Sequence, residues 1–308
     1  MRYVYGPVPS RRLGFSLGID LVPFKTCSLD CIYCQLGRTT QKSVERKIYT
    51  QKDNVCEEVR EALRKTERID YITFSGSGEP TLNLEIGAVI REVKKITALP
   101  VAVLTNGTLL FREDVQKDLV EADVVCPSLD AASDVMFRKI NRPHDALKLD
   151  SIIQGLKKFR MIYKGRIWLE VMLIKDFNDS TEELSRIRNA ISGIQPDRVY
   201  LNTVVRPPSE MYAKLLSSDE MMTVKNYFDN RCEVIAEFHG QKIGEAQNVE
   251  DAIIEMTKRR PLTSIDIANV LGVSETNAKT WINILKYSGK LQERQYKGER
   301  YYSYAIKK

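Results

Sequence analysis

The sequence predicts an α/β fold, a partial (β/α)6 TIM-like barrel followed by a small C-terminal winged-helix domain. Six short apolar runs alternate with longer amphipathic stretches, the order produced when helices connect parallel strands. Glycines and polar residues directly follow several of these runs, and functional residues of α/β barrels lie at that edge. Beyond residue 248 the pattern changes to three helical stretches and a hairpin, which predicts the second domain.

The elements of the barrel follow from the apolar periodicity. The predicted strands are 18–24, 69–75, 100–105, 123–129, 167–174 and 198–204, with a further short strand at 233–238. The predicted helices are 54–67, 84–96, 111–120, 149–163, 180–192 and 218–230. We therefore expect a barrel domain over residues 1–240, a linker at 239–248 and a winged-helix domain over 248–308.

Length and charge agree with this division. The chain has 308 residues, of which 43% are hydrophobic and 29% charged, so it can bury a sizeable core and disorder is disfavoured. Its net charge is +6, and residues 248–308 hold 11 Lys and Arg against 7 Asp and Glu. The sequence contains neither a leader pattern nor a long apolar run, which predicts a cytoplasmic protein without a membrane segment.

Three of the six cysteines are clustered. Cys27, Cys31 and Cys34 form a C-x3-C-x2-C segment just after the first predicted strand. Three thiolates on one loop can bind three irons of a four-iron cluster and leave the fourth iron open to another ligand. A zinc site or three buried thiols are the alternatives, although no fourth Cys or His is near in sequence for zinc.

The segment around Tyr33 resembles the cysteine signature of the radical S-adenosylmethionine (SAM) superfamily. Gly76-Ser-Gly78-Glu79-Pro80 resembles the GGEP motif of that superfamily, with Ser77 as a departure. The resemblance covers about residues 1–240, and the N-terminal segment is similar to an uncharacterised subgroup loosely related to wyosine-type tRNA-modifying enzymes. It implies a [4Fe-4S] cluster that reductively cleaves SAM and generates a 5′-deoxyadenosyl radical for hydrogen abstraction.

Polar residues at the strand ends are candidates for binding SAM. Glycines let the backbone approach a ligand closely, and carboxylate, amide and hydroxyl groups can bind its polar atoms. The candidates are Gly76, Gly78, Glu79, Asn106, Ser128, Asp130 and Glu170. Ordinary turns and caps are the alternative roles for Asn106, Ser128 and Asp130.

Three arginines are candidates for binding the substrate. Arg206 follows the sixth predicted strand, and Arg11 and Arg12 lie in an N-terminal arm that can fold over the barrel mouth. A strand terminus and a solvated arm are the alternative interpretations. The three isolated residues Cys56, Cys126 and Cys232 are expected to be small buried thiols.

The winged-helix prediction leaves the partner of the C-terminal domain open. Lys279, Lys286, Arg294, Lys297 and Arg300 are candidates for phosphate contact, with Tyr296 placed against a nucleotide. Protein docking or self-association is the alternative, because winged helices serve both purposes.

The sequence thus favours a radical SAM enzyme of unidentified substrate, with RNA as one candidate. Its electron donor would be a protein such as ferredoxin or flavodoxin. A redox-sensing, DNA-binding iron–sulfur regulator is the alternative function, motivated by the basic C-terminal domain.

Overall fold

The computed structural model describes residues 3–10, 12–66, 68–228, 231–235 and 249–305. Its main feature is an eight-stranded sheet with the strand order β1-β2-β5-β6-β7-β8-β9-β10. The strands are β1 (Val4–Ser10), β2 (Gly14–Ile19), β5 (Tyr71–Phe74), β6 (Val101–Thr105), β7 (Val124–Pro127), β8 (Arg166–Leu173), β9 (Arg198–Thr203) and β10 (Cys232–Val234). β1 runs antiparallel to β2, and all other neighbours are parallel.

Helices connect consecutive parallel strands and cover the outside of the sheet. They are α1 (Lys52–Lys65), α2 (Ile86–Ile96), α3 (Glu113–Leu119), α4 (Asp134–Asn141), α5 (Leu149–Ile162), α6 (Thr181–Ile194) and α7 (Ser218–Tyr227). Two-residue strands β3 (Thr26–Cys27) and β4 (Gln41–Lys42) pair beside the barrel mouth. This is the partial barrel of βα units that the sequence predicts.

Helices form where apolar residues recur on one face and where a polar side chain caps the first turn. In α1, Val55, Cys56 and Val59 are buried at helical spacing. The Ser180 hydroxyl caps α6, and Ser217 forms a reciprocal capping box at the start of α7. The resulting core is continuous from β2 to β9, so the strand ends have fixed positions.

Three expectations about the barrel were wrong in detail. The first parallel strand is β2, residues 14–19 rather than 18–24, and its ladder with β5 ends at Ile19. The N-terminal arm includes strand β1, and helix α4 was not predicted. The expected strand at 233–238 is found as β10, but residues 236–238 lie outside the described part of the chain.

Residues 249–305, hereafter the C-terminal unit, have an apolar core of their own. They form α8 (Val249–Arg259), α9 (Ser264–Leu271), α10 (Glu275–Tyr287) and an antiparallel hairpin of β11 (Leu291–Tyr296) and β12 (Glu299–Tyr304). Lys297 and Gly298, the two residues of the hairpin turn, both have positive φ, as a two-residue hairpin requires. This is the element order predicted for a winged helix, while the predicted linker at 239–248 lies wholly outside the described residues.

The hairpin of the C-terminal unit packs on the end of β9. The Tyr296 hydroxyl and Lys297 Nζ donate to the Val204 carbonyl, both at 3.2 Å, and the Tyr301 hydroxyl donates to the Val205 carbonyl at 3.1 Å. Tyr296 is buried. Tyr296 and Lys297, which the sequence predicts to contact nucleic acid, thus bond carbonyls of the barrel, and their contact with nucleic acid stays a prediction.

Within the described part of the chain, no helix has both the length and the apolar composition needed to cross a bilayer.

Candidate active site at the barrel mouth

The clustered cysteines lie on a loop at the carboxyl edge of the sheet. This cysteine loop, residues 25–37, is anchored by Ile32, which is fully buried. The Ile32 amide donates to the Ile140 carbonyl at 2.9 Å, and the Asp30 amide donates to the Asn141 carbonyl at 3.0 Å. Helix α4 thus fixes the loop that carries the thiols.

Each of the three thiols faces one nitrogen donor from a side chain. Lys25 Nζ lies 3.1 Å from Cys34 Sγ. Asn106 Nδ2 lies 3.5 Å from Cys27 Sγ, and Asn141 Nδ2 lies 3.5 Å from Cys31 Sγ. Donors of this kind stabilise negative charge on sulfur and tune a metal group bound to it.

The environment of two thiols keeps them protonated in the absence of metal. Burial, with the charge of Glu79 next in importance, raises the pKa of Cys27 to about 12. Burial and the Asp130 carboxylate raise the pKa of Cys31 well above its usual value. Binding to iron must therefore displace a proton from each. Three sulfur donors in an apolar setting fit the ligand set of an iron–sulfur cluster.

Among the described residues, no group of three or more Cys, His, Asp or Glu side chains lies in a position to hold a single metal ion.

The glycine-rich segment of residues 76–80, hereafter the glycine loop, packs directly against the cysteine loop. The Lys25 amide donates to the Ser77 carbonyl at 2.7 Å, and the Glu79 amide donates to the Thr26 carbonyl at 3.0 Å. A Cβ on Gly78 would lie 1.9 Å from the Thr26 carbonyl oxygen, so only glycine fits there. The two loops therefore form one surface.

Glu79 joins the ends of β5 and β6. Its carboxylate accepts the Thr105 hydroxyl at 2.7 Å and the Asn106 amide at 2.7 Å, as well as two donors from Thr81. The side chain is buried, and burial raises its pKa despite these bonds. The protein itself uses the oxygen atoms of Glu79, so its role is to hold the loops together.

Asp130 joins the cysteine loop to β8. It accepts the Tyr33 hydroxyl at 2.5 Å, Asn141 Nδ2 at 2.7 Å and the Met172 amide at 3.0 Å. Burial raises its pKa to about 6. Protein donors thus bond both oxygens of Asp130, and its contact with SAM stays a prediction.

The edge encloses a cavity of about 410 Å3, hereafter the inner cavity. Of the predicted residues, those lining it are Cys27, Cys34, Gly76, Gly78, Glu79, Asn106, Ser128, Glu170, Arg12 and Arg206. Cys31 and Asp130 are absent from this lining, and Arg11 lies outside the described residues. The structure thus brings most of the predicted site together.

An ion pair also lines the inner cavity. Arg12 binds Glu170, and Asn202 Nδ2 donates to Glu170 Oε1 at 2.8 Å. Burial lowers the pKa of Arg12, but the charge and hydrogen bond of Glu170, together with Cys126 and Tyr200, outweigh it and the net shift is upward. Arg12 and Glu170 were both predicted as residues of the site, and they pair although they lie 158 residues apart in the sequence.

A larger cleft of about 820 Å3, hereafter the outer cleft, lies between the cysteine loop and the C-terminal unit. Phe24, Arg38 and Pro207 line it from the barrel side, and Lys258 and Tyr304 line it from the other. Four residues line both spaces, namely Gln35, Leu36, Ser77 and Arg259. The outer cleft therefore adjoins the inner cavity along these side chains.

Sequence reasoning missed several residues of the site. Asp20 follows β2 and is almost fully buried, and a carboxylate inside an apolar run was a signal for it. Asn141 was missed because it is the last residue of helix α4, which was not predicted. Lys25, Asn202 and Arg259 reach the site through tertiary contacts, which periodicity does not report.

Comparison with known proteins agrees with this geometry. Residues 21–186 match the sequence profile of the radical SAM superfamily. The chain is 35% identical to a UPF0026 protein of Methanocaldococcus jannaschii, over 100% of this chain and 97% of that protein. It is also 42% identical over 94% of its length to a Brachyspira hyodysenteriae protein named GTPase Obg, of which it spans only 43%.

A solved structure shows the likeness in fold. The structure of TYW1 with a lysine-pyruvate adduct bound superposes with a TM-score of 0.53 at 17% identity, covering 74% of this chain and 76% of that one. The profile match spans more than half of the chain, and the archaeal relative aligns along its whole length. The chain therefore belongs to the radical SAM superfamily, whose members are enzymes that use a [4Fe-4S] cluster and S-adenosylmethionine.

Proposed function

We propose that Cys27, Cys31 and Cys34 hold the [4Fe-4S] cluster and that the glycine loop holds SAM beside it. The bound cluster would supply the electron that cleaves SAM to methionine and a 5′-deoxyadenosyl radical, which abstracts hydrogen from the substrate. One observation carries the proposal. Three thiols, each facing a nitrogen donor, share a surface with a glycine loop at the wall of a cavity.

The residues of the chain have separate tasks in this reaction. Lys25, Asn106 and Asn141 stabilise charge on the three sulfurs through their N–H groups. Gly76 and Gly78 let the glycine loop pack against Asp20 and the Thr26 carbonyl, and backbone groups of the loop are the proposed contacts of the ligand. Ser128 and Glu170 line the cavity and are proposed contacts of SAM or substrate. The enclosed wall would keep water and other hydrogen donors away from the radical.

Substrate would reach the radical through the outer cleft. Typical ligand cavities measure about 300–1,000 Å3, so the inner cavity has the size for one such ligand and the outer cleft for another. Arg206 lines the inner cavity and is the proposed anion contact for the substrate. We propose residues 1–240 as the catalytic domain and residues 248–308 as a winged-helix domain that forms the far wall of the outer cleft.

RNA stays a candidate substrate with weaker support. The hairpin side chains proposed for phosphate contact are engaged elsewhere: Lys297 on the barrel, Arg294 on the Pro208 carbonyl and Arg300 beside Glu293. In α10, Lys279 pairs with Glu275 and Lys286 pairs with Glu293. The alternative of a redox-sensing, DNA-binding regulator stays a prediction, since the side chains of Lys279 and Arg300 are more than half exposed.

The test is anaerobic turnover. We expect reduced, cluster-loaded protein to convert SAM to 5′-deoxyadenosine with dithionite, or with ferredoxin or flavodoxin as the proposed natural donor. A Cys34→Ala variant should form none. Absence of 5′-deoxyadenosine from loaded wild-type protein, even with a cell extract added as a source of substrate, would refute the proposal.

A further inference from the structure

Helix α8 of the C-terminal unit places one arginine against the barrel. The Arg259 side chain is only 7% exposed. Its guanidinium carbon lies 4.5 Å from the centre of the Tyr5 ring in β1, and its Nη1 donates to Glu255 Oε2 at 2.6 Å. A buried arginine held by an aromatic face and a carboxylate has a fixed position.

The same guanidinium meets a carboxylate at the end of β2. Arg259 Nε lies 3.6 Å from Asp20 Oδ2, and the Asp20 side chain is 1% exposed. Taking a carboxylate out of water is unfavourable unless a cation or hydrogen bonds compensate it, and Arg259 is the cation in contact with Asp20. Burial raises the pKa of Asp20, and after the Ser77 hydroxyl the charge of Arg259 opposes this most, so the C-terminal unit helps to keep Asp20 charged.

Asp20 in turn holds the glycine loop. Its Oδ2 accepts the Ser77 amide at 3.1 Å and the Ser77 hydroxyl at 2.5 Å. Gly76 has a φ of 142°, and a Cβ there would lie 2.4 Å from the Asp20 carboxyl carbon. The loop thus lies in close contact with this carboxylate, and its conformation follows the position of Asp20.

The contacts continue from Ser77 to the thiols. The Ser77 carbonyl accepts the Lys25 amide at 2.7 Å, and Lys25 Nζ lies 3.1 Å from Cys34 Sγ. Ser77 and Arg259 also line both the inner cavity and the outer cleft. One continuous set of contacts therefore joins α8 to the region where SAM is proposed to bind.

We propose that Arg259 is a positioning residue for SAM: acting through Asp20, it holds the glycine loop in its binding conformation, so the C-terminal unit completes the cofactor site. This inference rests on the proposed function. Without Arg259, the buried Asp20 carboxylate takes up a proton or turns away, and its hydrogen bonds from Ser77 are weakened or lost. SAM affinity should fall, while the three thiols keep their own donors and still hold iron.

The experiment measures SAM affinity of cluster-loaded, full-length variants by equilibrium dialysis, with iron per chain and thermal midpoint recorded for each. Arg259→Met should weaken SAM binding roughly tenfold at unchanged iron content, a difference of about 1.4 kcal/mol. Arg259→Lys keeps the positive charge and should recover part of the loss. Arg300→Met removes an arginine of the same unit that is 69% exposed and lines neither space, and it should match wild type.

A double variant tests whether Arg259 acts through Asp20. Asp20→Asn alone should weaken SAM binding, and adding Arg259→Met should cost little more, since both changes break one contact. Wild-type affinity in Arg259→Met, or additive losses in the double variant, would overturn the inference. So would a parallel loss of iron, which indicates a general structural role. Wild-type protein that holds a cluster but binds no SAM would instead refute the proposed function.

Discussion

The two halves of the barrel mouth use polar side chains in different ways. In the half formed by β2, β5 and β6, Glu79 is saturated with bonds from neighbouring loops and lies close to the thiols. In the half formed by β8 and β9, Glu170 pairs with Arg12 and Asn202 at the cavity surface. The first half is built from internal bonds, whereas the second presents charged groups to the cavity.

The two halves therefore have different expected roles: the first holds a ligand in place, and the second selects between ligands. A loop fixed by internal bonds keeps its geometry before any ligand arrives, which lowers the cost of binding. Charged groups at a cavity surface can exchange partners with a ligand and so discriminate between ligands. We therefore expect changes in the first half to affect cofactor binding and changes in the second to affect substrate binding.

The largest effect is expected from the thiols. Replacing Cys27, Cys31 or Cys34 by Ala removes one of three iron ligands and should abolish cluster retention and SAM cleavage. Cys56→Ala is the matched control, because Cys56 is buried in α1 away from the mouth. It should keep full iron content at a cost of about 1 kcal/mol in stability. Iron and sulfide analysis after reconstitution checks both, and iron retained by Cys31→Ala would contradict the assignment.

The next largest effect is expected from Glu79, whose carboxylate bonds to neighbouring loops of the first half. Glu79→Gln replaces an oxygen acceptor by an amide donor facing Thr105, Thr81 or Asn106. We expect the free energy of unfolding to fall by about 3 kcal/mol and SAM affinity to fall with it. Urea unfolding measures the first and equilibrium dialysis the second. Glu121→Gln, an exposed substitution, should change neither, and a Glu79→Gln variant as stable as wild type would contradict the role given to Glu79.

In the second half, Glu170→Gln leaves the Arg12 guanidinium without its counter-ion. Stability should fall by about 2 kcal/mol, and the double variant Arg12→Gln with Glu170→Gln should be less affected because it buries no unpaired charge. Iron content should be unchanged and SAM affinity should fall less than in Glu79→Gln. If both glutamates prove equally important for SAM, the distinction between the two halves is wrong.

The last effect is seen only as a dependence on pH and concerns Asp130, which joins the halves. Its folded pKa, about 6, lies above the usual value of 3.8. The folded state therefore binds a proton more tightly than the unfolded state, and this group stabilises the apoprotein most below pH 4. That contribution is lost as the pH rises from about 4 to about 6, with a slope of at most about 1.4 kcal/mol per pH unit. Urea unfolding of wild type against Asp130→Asn measures it, and identical pH profiles would contradict it.

The sequence predicted what local patterns encode. Apolar runs located the parallel strands, and the thiols and glycines of the two loops lie together as their positions after strands predict. Strand β1 was missed because Pro7 and Pro9 argue against a strand, although an edge strand tolerates them. Helix α4 was missed because its eight residues carry little periodicity. Because β1 and α4 were not predicted, Tyr5 in β1 and Asn141 in α4 were missed as residues of the site.

Tertiary contacts account for the remaining errors. Arg294, Tyr296 and Lys297 form a typical basic hairpin in sequence, and nothing local reports that barrel carbonyls bind them. The pairing of Arg12 with Glu170 and that of Arg259 with Asp20 join residues far apart in the chain. Such ion pairs depend on how the sheet and the C-terminal unit pack, so composition and spacing cannot predict them.

Three cysteines are proposed to leave one iron of the cluster free to bind SAM. Electron paramagnetic resonance of the reduced, cluster-loaded protein tests this directly, with SAM isotopically labelled at its amino or carboxylate group. We expect a changed cluster signal with coupling from the labelled atoms. A signal unaltered by saturating SAM, from protein with a full complement of iron and sulfide, would contradict it.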